Sequence, residues 1–308
     1  MRFGVFDTDL TAVQAPDRSN CANVRLARRT PPGAASDEWL WNRNQAGVDD
    51  GAIVTDPGLI RDRGPYDRGM PAVTVPTSDG PIDAVLESPR EASAAPWPGV
   101  VVVHDALGVG RDIRDITARV AEHGYLTLTP DLYSRGGRTR CVVRVFRELL
   151  GGRGRAVDDL VAARDLLAAR PDCTGKVGVV GFCMGGGFAL VLATEGFDVS
   201  APFYGPLPRR LDAALRGACP IVGSYGARDP MLWNAGARLD AALGRVGVDH
   251  DVQTYPGVGH SFANRLVSGP TTAAVLRIAG MGYDAEKSAD AWRRVFEFFD
   301  AHLSAGAQ

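Results

Sequence analysis

A chain of 308 residues, 45% hydrophobic and 23% charged, has ordinary globular composition, with length for one large α/β domain plus an appendage or for two small domains. Its formal charge of −2 lacks the basic excess that phosphate binding requires, so nucleic acid is not an expected partner. The longest apolar run, around 99–103, is too short to span a bilayer, the first thirty residues carry no apolar signal core, and five scattered cysteines (Cys21, Cys141, Cys173, Cys183, Cys219) without metal-ligand spacing suit a reducing cytoplasm better than a disulfide framework.

Residues 1–69 stand apart. They contain PPG, DDG, DPG and RGP, and their charges follow no helical or strand period. The expectation is a poorly ordered N-terminal extension, or a stretch lying upstream of a natural start at Met70. From Met70 the pattern changes. MPAVTVPTSDGPIDAVLESP reads as two short strands around an Asp79-Gly80 turn.

Strands and helices then alternate. Gly99–His104 is a continuous apolar strand, as expected for one covered on both faces. Asp112–His123 carries Ile113, Ile116 and Val120 at helical spacing, and Gly124 stops it. The strand Tyr125–Thr129 comes next, then a basic loop with Arg135, Arg138 and Arg140, then the helix Arg155–Arg170. Lys176–Gly181 is a strand running into the helix Met184–Glu195. Strands Val199–Phe203 and Cys219–Tyr225, the helix Leu232–Val246, the strand Asp251–Tyr255 and an amphipathic helix Ala289–Leu303 complete the chain. Repeated β-α units predict a mostly parallel sheet with helices on both faces, in one domain over residues 70–308.

The stretch Gly181-Phe182-Cys183-Met184-Gly185 fits the G-x-nucleophile-x-G elbow, with cysteine at the nucleophile position. A sharp strand-to-helix turn crowds the backbone two residues to either side, where a Cβ would clash. It also sets the thiol at a helix N-terminus, which favours thiolate. Downstream, Asp229 closes a loop after the strand ending at Tyr225, and His260 follows the last strand within GVGH. Nucleophile, acid and histidine in that order, each past a strand's carboxyl end, is the α/β-hydrolase arrangement. The roles follow: Cys183 attacks a carbonyl carbon, His260 handles the proton, and Asp229 orients the imidazole. The backbone N–H groups of Met184 and Ala106 are the expected oxyanion donors.

These residues resemble the dienelactone hydrolases (carboxymethylenebutenolidases). The resemblance rests on VVVHDALGVGRDIRD (101–115), GYLTLTPDLYSRGG (124–137), VGVVGFCMGGGFAL (177–190), APFYG (201–205), GARDP (226–230) and YPGVGHSFAN (255–264). It implies an α/β-hydrolase fold and hydrolysis of an unsaturated lactone or related small ester without a cofactor. No metal site is expected, and the protein is expected to be a cytoplasmic monomer or small homo-oligomer. Where the family carries a glutamate that contacts the resting thiol, this chain has Asp105, one methylene shorter. Where the family places an arginine for the substrate's carboxylate, four residues after the histidine, this chain has Asn264 beside Arg265. Either Arg265 serves after a one-residue shift or the substrate lacks that carboxylate. Tyr204 matches a pocket tyrosine. The rival reading is a non-catalytic small-molecule-binding module on the same fold. A redox role for Cys183 lacks a nearby resolving cysteine.

Overall fold

Valines set the centre of the sheet. In β3 (Trp97–Val103), Val101 and Val103 enter one apolar cluster while Val100 and Val102 enter another, the period-2 alternation of a strand covered on both faces. The computed structural model describes residues 72–90, 95–265 and 282–304, all within one structural unit. The expectation for residues 1–69 lies outside the described residues.

The remaining strands are β1 (Ala72–Val75), β2 (Ile82–Glu87), β4 (Leu126–Pro130), β5 (Cys173–Phe182), β6 (Val199–Phe203), β7 (Ile221–Gly226) and β8 (His250–Tyr255). The eight form a single sheet ordered β1-β2-β4-β3-β5-β6-β7-β8. Pairing is antiparallel for β1–β2 and β2–β4 and parallel from β4 to β8. The mostly parallel sheet is as the alternation predicted, and with its flanking helices it makes the α/β-hydrolase fold that the resemblance implied.

Helices α1 (Arg111–Glu122) and α7 (Ala285–Leu303) cover one face. Ile113, Ile116 and Val120 of α1 join Trp292, Val295, Phe296 and Phe299 of α7 over Val100, Val102 and Phe182. Helices α2 (Arg138–Gly151), α3 (Arg155–Ala168) and α4 (Met184–Leu192) supply the opposite cluster. A short α5 (Leu211–Ala214) and the longer α6 (Ala235–Val246) flank β7 and β8.

One expectation is corrected. Arg138 and Arg140 stand in α2, not in a basic loop. That segment is dense in arginine, but Cys141, Val145 and Leu149 recur at i, i+4 and i+8 and are buried. This single apolar stripe suffices to dock a helix whose other faces are solvated.

Candidate active site

Glycine makes the turn between β5 and α4 possible. A Cβ on Gly181 would sit 2.0 Å from the carbonyl oxygen of Gly185, and one on Gly185 would sit 2.2 Å from the carbonyl oxygen of Val103. Cys183, between them, is held at φ +53°, a left-handed conformation that side chains other than glycine rarely take. Its N–H donates to the carbonyl of Phe203 at 3.1 Å and its carbonyl accepts from Gly187 N–H at 3.1 Å. The strain is therefore pinned by β6 on one side and by α4 on the other. Its side chain is half-buried.

Asp229 and His260 reach the same carboxyl edge from the loops after β7 and β8. The Asp229 Oδ1 accepts the N–H groups of Met231 (2.9 Å) and Leu232 (3.2 Å), which fixes the carboxylate. Its Oδ2 accepts from His260 Nδ1 at 2.6 Å. Both residues are buried, at 2% and 3% exposure, so this hydrogen bond is shielded from water. Burial disfavours the charged imidazole, but the Asp229 bond and the neighbouring Cys183 sulfur outweigh it and push His260 up to about 9. His260 Nε2 is buried and has no partner among the described residues. One ring nitrogen is committed and the other is free to take or give a proton.

Asp105 follows β3 and is 7% exposed. Its Oδ1 accepts the N–H of Leu107 at 2.7 Å. Burial pushes its carboxyl up, with that N–H, His104 and His260 pulling the other way. His104 is also buried. Leu132 N–H donates to its Nε2 at 3.2 Å, so the proton sits on Nδ1, which donates to the Asp105 carbonyl at 2.6 Å. Burial accordingly lowers its basicity, and His104 is a neutral clip between the loops after β3 and β4.

Tyr204 follows β6 at φ +37°, fully buried, with its ring 5.1 Å from that of His260. Its hydroxyl donates to Asn264 Oδ1, and Asn264 Nδ2 donates to Asp112 Oδ2. Asp112 Oδ1 also accepts the N–H of Arg265 at 2.8 Å. The loop carrying His260 is thus tied to the first turn of α1. Arg265 is exposed. Its guanidinium lies 4.7 Å over the Tyr283 ring and donates to the Tyr283 hydroxyl at 3.1 Å.

Cys183, Asp229, His260, Asp105 and Tyr204 therefore share one end of the sheet, and Arg265 stands apart on the surface. Sequence reasoning missed Asp112, Tyr133 and the role of His104. The signal for Tyr133 was present in PDLYSR, whereas nothing local marks Asp112. Arg135 is not available to a substrate: its guanidinium is closed on Asp159 at 2.7 and 2.9 Å and also donates to Gly80 and Thr77. A groove of about 410 Å³ beside Leu149, Val191, Pro206 and Leu207 contains none of these site residues. Among the described residues no three His, Cys, Asp or Glu side chains could hold a metal ion, and no helix is long and apolar enough to cross a membrane.

The profile of the dienelactone hydrolase family matches residues 82–303. The chain belongs to the dienelactone hydrolase family. It is an ester hydrolase of that family. A carboxymethylenebutenolidase of Rhodococcus opacus is 28% identical over 224 residues, covering 68% of this chain and 82% of its own. A Methylorubrum extorquens protein provisionally given the same name is 29% identical across 94% of this chain and 98% of its own. Among solved structures, a dienelactone hydrolase-like promiscuous phosphotriesterase from metagenomic libraries is 27% identical with a TM-score of 0.64, covering 76% of this chain and 99% of its own. A Klebsiella pneumoniae structure provisionally described as a dienelactone hydrolase matches in fold at 24% identity and a TM-score of 0.60, covering 76% of this chain and 98% of its own.

Proposed function

We propose that this hydrolase opens a small ester or lactone through a thioester on Cys183, with His260 and Asp229 completing a triad in a domain spanning residues 70–308. The observation that carries the reading is the buried Asp229–His260 pair ending in an unpartnered Nε2, beside a cysteine held in the left-handed region of an elbow. In the first step the Cys183 sulfur bonds to the carbonyl carbon and its proton passes to His260 Nε2. Asp229 stabilises the imidazolium. The raised His260 pKa makes its imidazole a ready acceptor for that proton. The carbonyl oxygen becomes an oxyanion facing the N–H groups of Ala106 and Met184. Met184 opens α4, so its N–H has no intrahelical acceptor. Collapse breaks the ester C–O bond, and His260 returns the proton to the alkoxide. Water, deprotonated by His260, then attacks the thioester carbonyl carbon; the C–S bond breaks, His260 returns the proton to the Cys183 sulfur and the carboxylic acid leaves.

Asp105 is the group proposed to bias the resting thiol, because its Oδ1 is committed to Leu107 and its carboxyl is buried close to His260. For the substrate, Asn264 is 1% exposed with both amide ends engaged, and Arg265 is held by Tyr283. Among the described residues of that loop the one arginine is therefore already engaged, which favours an ester without a carboxylate. A panel of neutral and carboxylate-bearing lactones and aryl esters, run on wild type and Cys183→Ala, tests the reading. Turnover lost in the variant supports it. Ligand binding with no turnover in wild type would favour the binding-module alternative. The phosphotriesterase neighbour gives reason to include a phosphotriester.

A further inference from the structure

An oxyanion hole works when its donors are fixed in place before charge develops. The two donors proposed above belong to different elements, Ala106 to the loop after β3 and Met184 to the start of α4. A third element touches both. Tyr133, in the loop after β4, places its hydroxyl 3.3 Å from the Ala106 carbonyl oxygen and 3.6 Å from Met184 Sδ. The hydroxyl has one proton, which the carbonyl takes more strongly than a thioether; the sulfur is then a packing contact. Tyr133 is 4% exposed, its N–H donates to Asp131 Oδ1 at 2.8 Å, and its ring lies 4.9 Å from that of His104. His104 in turn clips the Asp105 carbonyl to the N–H of Leu132, the residue before Tyr133. Burial and the carboxyls of Asp105 and Asp131, against Arg138, keep the phenol protonated.

We infer that Tyr133 is a positioning residue that sets the separation of the Ala106 and Met184 N–H groups, and so acts on formation of the tetrahedral oxyanion. This rests on the cysteine-triad reading and adds a residue to it. The test uses the full chain with Tyr133→Phe, which keeps the ring and removes the hydroxyl. One readout is kcat and KM on a p-nitrophenyl ester. The other is the rate at which iodoacetamide alkylates Cys183, a displacement at a saturated carbon that forms no oxyanion. The expected result is a kcat lowered about tenfold, the size of one lost hydrogen bond. KM and the alkylation rate stay within about twofold. Unchanged kcat overturns the inference, and so does an equal fall in kcat and alkylation rate, which would mark general disruption of the site. Should Tyr133→Phe fail to fold, Met184→Leu removes only the sulfur contact and is expected to lower kcat about two- to threefold at constant KM; unchanged kcat there overturns the inference. Failure of the triad reading itself would show separately, as turnover surviving in Cys183→Ala.

Discussion

Two buried aspartates show how a structural ion pair differs from a site. Asp159 and Asp229 are 1% and 2% exposed, and each faces a cationic side chain. Asp159 spends both oxygens on the Arg135 guanidinium, whose other donors go to Gly80 and Thr77, so every group is answered. Asp229 spends one oxygen on two backbone N–H groups and the other on His260 Nδ1, and the chain of bonds ends at a bare Nε2. The first arrangement closes on itself and welds the β1–β2 turn to α3. The second is open at one atom, and that atom lies beside the elbow thiol.

The contrast predicts opposite phenotypes. Asp229→Asn should lower kcat by about 10²–10⁴, because the amide no longer favours the required tautomer or stabilises the imidazolium, while the fold persists; near-wild-type turnover would break the comparison. Asp159→Asn should instead cost about 2–4 kcal/mol of stability by stranding Arg135, less than a fully buried pair because that guanidinium is partly exposed. Denaturant unfolding checks this, and kcat of the folded fraction should stay near wild type.

A pH series sharpens the comparison further. His260 titrates near 6.5 when unfolded and about 9 when folded, so between those values the folded chain holds the extra proton. The sign is then fixed: this contribution to stability is full below pH 6.5 and is lost as pH rises through about 9. Asp229→Asn should flatten that slope and Asp159→Asn should leave it; equal slopes in both variants would contradict the assignment. The smallest expected effect concerns substrate charge. Between matched esters with and without a carboxylate, the neutral one should have the higher kcat/KM, by about three- to tenfold. A preference for the acid would return a substrate role to Arg265.

How much of this was legible beforehand depends on range. The elbow could be read because its reason is local: Gly181 and Gly185 lie two residues either side of Cys183, and the backbone contacts they permit are fixed by the turn itself. The parallel sheet could be read because β3 to β8 repeat the same strand–helix period. Helix α2 could not, because arginines masked its stripe of Cys141, Val145 and Leu149. The role of Arg135 was hidden because its partner Asp159 is set by how α3 docks. Asp112 meets Asn264 across 152 residues of sequence, a pairing that no local pattern announces.

Stoichiometric alkylation with mapping of the modified cysteine tests the central claim most directly. One equivalent of iodoacetamide per chain should abolish ester turnover, with the label on the peptide containing Cys183, and a good substrate should slow the labelling. Full labelling of Cys183 with turnover intact, or inactivation with the label elsewhere, would contradict the account.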